Sequence, residues 1–128
     1  MKKVQEILLI DDFRQENNIH KAILSKYFNV EKFTCMLSID EAMKYLISLV
    51  AEKQVFPELI FIDLNLPMHN GWEFISWYRF LDAKYKLNTK LIVLSGSELI
   101  KMKPNKVDLS TIHHIVEKPL TADKLEEL

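Results

Sequence analysis

The stretch Leu59-Ile60-Phe61-Ile62-Asp63 decides how this chain folds: four consecutive apolar residues end on a carboxylate. A short run that is apolar throughout fits a strand buried on both faces, as in a parallel sheet. The same shape recurs on either side. Ile7-Leu8-Leu9-Ile10 ends in Asp11-Asp12, Leu91-Ile92-Val93-Leu94 ends in Ser95-Gly96, and Ile112 to Val116 runs into Lys118-Pro119. In open parallel sheets ligands bind beyond the carboxyl ends of the strands. Three carboxylates, a hydroxyl and a lysine fall at those ends. They make one acidic pocket with a cation partner, and they point to phosphoryl chemistry.

Between these runs the pattern alternates strand and helix. The first strand is expected over about 5–10, with a helix from Phe13 to Tyr27 that turns Ile19, Ile23 and Tyr27 to one face. Val30 to Met36 reads as a second strand, although it does not alternate cleanly. Ser38-Ile39-Asp40-Glu41 is a capping box that opens a helix to about Lys53. A third strand covers about 58–63. Asn70 can cap a helix carrying Phe74, Ile75, Tyr78 and Leu81 to about Lys84. Strand four spans about 90–94. Ser97 to Thr111 is interrupted by Pro104, so any helix there is short or broken. Strand five covers about 112–116, and Thr121 can cap a last helix running to Leu128. Five strands alternating with helices imply right-handed crossovers and a doubly wound sheet of order 2-1-3-4-5. That order makes strands one and three neighbours and brings Asp11, Asp12 and Asp63 together.

The 128 residues fit one domain, here taken as residues 1–128, with room for a real core. A net charge of -1 gives no global attraction to nucleic acid or to a membrane surface. No stretch is long and apolar enough to span a bilayer, and Met1-Lys2-Lys3 leads straight into a strand rather than a signal peptide. Cys35 is the single cysteine, so an internal disulfide is impossible, and it reads as a half-buried small hydrophobe. These features fit the cytoplasm.

Electrostatics sharpens the reading of the pocket. Two carboxylates about 5 Å apart repel by roughly 3 kcal/mol at an effective dielectric near 20. Such a cluster must raise a pKa or bind a cation, and hard oxygen ligands suit Mg²⁺. Mg²⁺ also neutralises charge in phosphoryl transfer. Asp63 ends the central strand and is the best nucleophile, forming an acyl phosphate. Asp11 and Asp12 would hold the metal, Asp12 more directly because the two alternate in direction. Ser95 and Lys118 can each contact a phosphoryl oxygen. Taken singly, each element also has a plain reading as a helix cap, a turn or a strand end. Four of them at successive strand ends are harder to assign to chance.

Here the chain resembles the receiver domain of a two-component response regulator over essentially its whole length. The motifs are Ile10-Asp11-Asp12, the run Asp63-Leu64-Asn65-Leu66-Pro67-Met68-His69-Asn70-Gly71, then Ser95, and finally Lys118-Pro119. The resemblance implies phosphorylation of Asp63 by a histidine kinase or a phosphotransfer protein. It implies Mg²⁺ bound by the acid pair, Asp63 and the backbone carbonyl of Asn65. It also implies that Ser95 follows the phosphoryl group, that Lys118 contacts it, and that the Lys118-Pro119 bond is cis. One departure stands out. The family's usual Tyr or Phe three residues before the lysine is Ile115 here, so the aromatic half of the family's switch is missing. Activation is then expected to act by shifting or ordering residues 95–106, read by an unidentified partner protein, with Ile115 as passive packing.

Rival readings fit less well. An aspartyl phosphatase of the haloacid dehalogenase type needs an acid where Asn65 stands. A flavin-binding module needs a phosphate loop where Asp11-Asp12-Phe13-Arg14 would repel phosphate. A receiver-like interaction module that is never phosphorylated is the serious alternative, because of Ile115. His113 and His114, adjacent on a strand, point to opposite faces and read as surface or half-buried residues. His20 is expected to be exposed, His69 has no obvious partner, and Trp77 with Phe80 forms either an aromatic patch or simple packing. The expectation is a stand-alone receiver, or one whose native chain runs on, since the last helix is short.

Overall fold

A computed structural model describes residues 2–64, 71–96 and 109–128. The elements are β1 (Lys2–Ile10), α1 (Arg14–Tyr27), β2 (Phe28–Met36), α2 (Ile39–Ala51), β3 (Leu59–Asp63), α3 (Gly71–Arg79), α4 (Ala83–Lys86), β4 (Lys90–Ser95), β5 (His114–Glu117) and α5 (Ala122–Leu125). A 3₁₀ turn, Leu109–Thr111, precedes β5. The sheet is parallel throughout, in the order β2-β1-β3-β4-β5. This is the doubly wound architecture expected from the apolar runs.

The apolar runs supply both cores. Leu8, Ile10, Ile60, Ile62, Leu91 and Val93 face one side, where α2 and α3 bring Leu46, Phe74 and Tyr78. Ile7, Leu9, Leu59, Phe61, Ile92 and Leu94 face the other, where Leu24 of α1 and Leu125 of α5 close the layer. Because successive side chains point to opposite faces, an unbroken apolar run is what a strand covered on both sides requires.

The elements that depart from expectation do so for local reasons. β2 begins at Phe28, directly after α1, and is an edge strand with mostly half-buried side chains, which explains its poor alternation. On α1 the inward face is Asn17, His20 and Leu24, whereas Ile19 is exposed. His20 is therefore buried, not exposed as its helical setting suggested. α3 stops at Arg79 rather than Lys84. Lys86 Nζ donates to the carbonyls of Tyr78 and Arg79 at 3.2 Å each, capping the helix end. Asp82 then restarts the chain, its carboxylate accepting from the Lys84 amide at 3.0 Å. His113 lies before β5, its Nδ1 accepting from the Leu91 amide at 3.0 Å. The Ser38 cap forms as expected, accepting from the Glu41 amide at 3.1 Å. The expected Asn70 cap, His69 and the Pro104 segment lie outside the described residues.

Candidate functional site

The topology delivers the four strand ends to one place. Ile10 pairs with Ile62 and Asp63 with Leu94, so Asp11 and Asp63 emerge side by side. Backbone bonds fasten these ends: Asp11 donates to the carbonyl of Met36 at 3.1 Å, Leu64 to Leu94 at 3.1 Å, and Lys118 to Ser95 at 2.9 Å. Gly71 has to be glycine. A Cβ there would stand 2.8 Å from Leu64 Cα and 3.0 Å from the Asp63 carbonyl oxygen, so any side chain would push α3 off the end of β3. The Lys118-Pro119 bond is cis, as the resemblance implied.

At the centre lies Lys118. Its ammonium donates to Asp63 Oδ2 at 2.7 Å and to Glu16 Oε2 at 2.7 Å, and stands 3.9 Å from Asp11 Oδ2. Asp11 and Asp63 are almost wholly buried, with 2% and 5% exposure, and Ser95 is fully buried. Asp11 Oδ1 accepts from the Phe13 amide at 3.0 Å, and the Asp11 carbonyl accepts from Asn17 Nδ2 at 3.3 Å. These two bonds fix the turn into α1. Ser95 Oγ donates to the neighbouring Gly96 carbonyl at 2.5 Å.

The charges do not balance. Burial, reinforced by Glu16 and Asp63, pushes the Asp11 carboxyl up to about 7, against the opposing pull of the Phe13 amide and Lys118. Glu16 moves down, chiefly because of its bond to Lys118. Burial pulls Lys118 down, but its bonds to Asp63 and Glu16 outweigh that and hold its ammonium above the usual lysine range. Burial depresses His20, one turn along α1 from Glu16. Carboxylate oxygens of Asp11, Glu16 and Asp63 all lie within 4.8 Å of one another. Asp11 Oδ2 and Asp12 Oδ1 are buried with no hydrogen-bond partner. Two orphaned hard oxygens amid excess negative charge are what a divalent cation would satisfy, so the residues fit Mg²⁺.

Of the residues singled out in the sequence, Asp11, Asp63 and Lys118 come together at one point. Asp12 is adjacent and half-buried, while Ser95 ends the neighbouring strand. Asn65 lies outside the described residues. Glu16 was not singled out at all. The available signal was its place four residues after Asp12, in the first turn of a helix that begins at Arg14. Trp77 is half-buried against the core, whereas Phe80 is 81% exposed with the Arg79 guanidinium 5.6 Å from its ring. Among the described residues no helix is long and apolar enough to cross a membrane.

No protein-family model matches the chain. No curated protein matches it either. Solved structures do. A two-component response regulator from Cytophaga hutchinsonii is 29% identical with a TM-score of 0.81, covering 98% of this chain and 94% of that one. A CheY-like receiver domain from Methylobacillus flagellatus is 22% identical with a TM-score of 0.74, covering 97% and 94%. A response regulator from Thermotoga maritima, solved in complex with Mg²⁺ and BeF, is 19% identical with a TM-score of 0.68, covering 96% and 94%. Architecture, coverage and likeness agree: the chain has the fold of the CheY-like response regulator receiver domains that it resembles.

Proposed function

We propose that residues 1–128 act as one phosphoacceptor domain in a phosphorelay, taking a phosphoryl group on Asp63 and signalling through a protein partner. The observation that carries this reading is the buried Asp63 carboxylate at the end of β3, with the Lys118 ammonium at 2.7 Å and Asp11 beside it. The donor would be a phosphohistidine on a histidine kinase or a phosphotransfer protein. An Asp63 oxygen attacks phosphorus, the P–N bond breaks, and the imidazole nitrogen leaves with the electron pair and takes up a proton. The chain is a phosphoacceptor, not an enzyme acting on a separate substrate.

Asp11, Asp12, Asp63 and the Asn65 backbone carbonyl would hold Mg²⁺, the ion present with BeF in the Thermotoga maritima protein. Bound there, the ion neutralises charge as an anionic donor approaches. Lys118 offers its N–H groups to the phosphoryl oxygens, and Ser95 turns its hydroxyl from Gly96 toward them. Movement of Ser95 would then reorder residues 95–106, most of which lie outside the described residues. Nothing in the net charge of -1 favours nucleic acid as the direct partner.

A receiver-like interaction module that is never phosphorylated is the second reading. Ile115, 39% exposed on β5, favours it, because no ring stands there to swing. Incubation with acetyl phosphate and Mg²⁺ separates the two. The phosphoacceptor reading expects a mass gain of one phosphoryl group, lost in EDTA and in Asp63→Asn. No gain, or an undiminished gain in Asp63→Asn, refutes it.

A further inference from the structure

Lys118 has more acceptors than the proposed reaction needs. Its ammonium carries three N–H donors, and two are already engaged at 2.7 Å, one by Asp63 and one by Glu16. Glu16 lies in the first turn of α1, where the Asn17 side-chain Nδ2, donating to the Asp11 carbonyl, ties down the backbone beside it. Its side chain is 39% exposed, so it stands at the mouth of the site, while Asp11 and Asp63 form the floor. A phosphoryl group on Asp63 draws on the same ammonium that Glu16 holds toward itself. It also has to sit near a carboxylate that repels it.

We infer that Glu16 is a positioning residue that holds Lys118 in competition with the phosphoryl group, lowering the site's hold on that group. The inference rests on the phosphoacceptor reading above. Both effects of Glu16 act in the same direction, since it withholds a donor and adds a repulsive charge. Glu16→Gln keeps the size, removes the charge and leaves only a weaker acceptor for Lys118.

The test is titration with beryllofluoride, the phosphoryl mimic, at fixed Mg²⁺, read by tryptophan fluorescence and by calorimetry. Mg²⁺ alone is titrated in parallel. Glu16→Gln should tighten beryllofluoride binding roughly three- to tenfold, the range of a charge-assisted contact at a partly exposed site. Glu16→Asp should return most of the way to wild type. In a Lys118→Ala background the gain from Glu16→Gln should be clearly smaller, because only the relieved repulsion remains once the contact to Lys118 is gone. Unchanged or weaker binding in Glu16→Gln overturns the inference, as does a gain that is undiminished in Lys118→Ala. A tenfold loss of Mg²⁺ affinity in Glu16→Gln also overturns it, by making Glu16 a metal ligand. Wild-type protein that binds no beryllofluoride at all overturns the phosphoacceptor reading itself, before Glu16 is reached.

Discussion

Glu6 lies within β1 and Asp11 just past its end, and their surroundings are opposite. The Glu6 side chain is only 16% exposed, yet its Oε2 accepts from Thr34 Oγ1 at 2.6 Å and from Tyr45 Oη at 2.5 Å, with Lys32 at 3.9 Å. Two hydroxyl donors and an ammonium therefore attend that one oxygen. Burial and the bond to Glu6 push the Tyr45 phenol up to about 12, so it stays a donor at any ordinary pH. Asp11 is more deeply buried, its Oδ2 has no hydrogen-bond partner, and its closest charged company includes two further carboxylates. The carboxylate within the strand is satisfied, and the one past its end stores repulsion. Groups left unsatisfied in an otherwise consistent fold mark where stability has been given up for function. The contrast predicts that removing a carboxylate should have opposite effects at the two places.

The largest effect should come from Lys118→Ala. It removes the cation that Asp63 and Glu16 share and leaves partly buried charges facing one another. Metal-free protein should lose about 2–3 kcal/mol in urea unfolding. Millimolar Mg²⁺ should restore much of that loss, since it supplies the missing positive charge. Equal stability of mutant and wild type in EDTA would break the contrast.

Asp11→Asn should stabilise the metal-free protein by about 2 kcal/mol at pH 8. The sign follows from linkage. The native carboxyl is raised to about 7 from its ordinary value of 3.8, so the folded state binds the extra proton between those values. Its contribution is therefore favourable at acidic pH and is lost as pH rises through about 7. The advantage of Asp11→Asn should accordingly shrink toward zero near pH 4. Thermal melts of both proteins across this range in EDTA check it.

Within the strand, Glu6→Gln should destabilise by about 1 kcal/mol, the worth of hydrogen bonds to a charged acceptor partly replaced by weaker ones. Mg²⁺ should not alter this loss. A stabilising Glu6→Gln, or one sensitive to Mg²⁺, would mean that the two carboxylates do not differ in kind.

The contrast also marks how far the sequence could be read. Asp11, Asp63, Ser95 and Lys118 were legible because each closes an apolar run, and buried parallel strands make such runs nearly continuous. Glu16 and His20 were not. On α1 the eye follows Ile19, Ile23 and Tyr27, yet the helix turns Asn17, His20 and Leu24 inward. Polar residues face inward there because the start of the helix leans on the charged strand ends and only its later turns meet apolar core. The early end of α3 depended on a lysine reaching back to two carbonyls, a contact that no local pattern encodes.

The most direct measurement is peptide mapping of the chain after acetyl phosphate and Mg²⁺, which locates the acquired group residue by residue. A single phosphoryl group on Asp63, absent when Mg²⁺ is withheld, is the predicted result. A phosphoryl group on Ser95, on a histidine or on any other residue, with Asp63 unmodified, would contradict it.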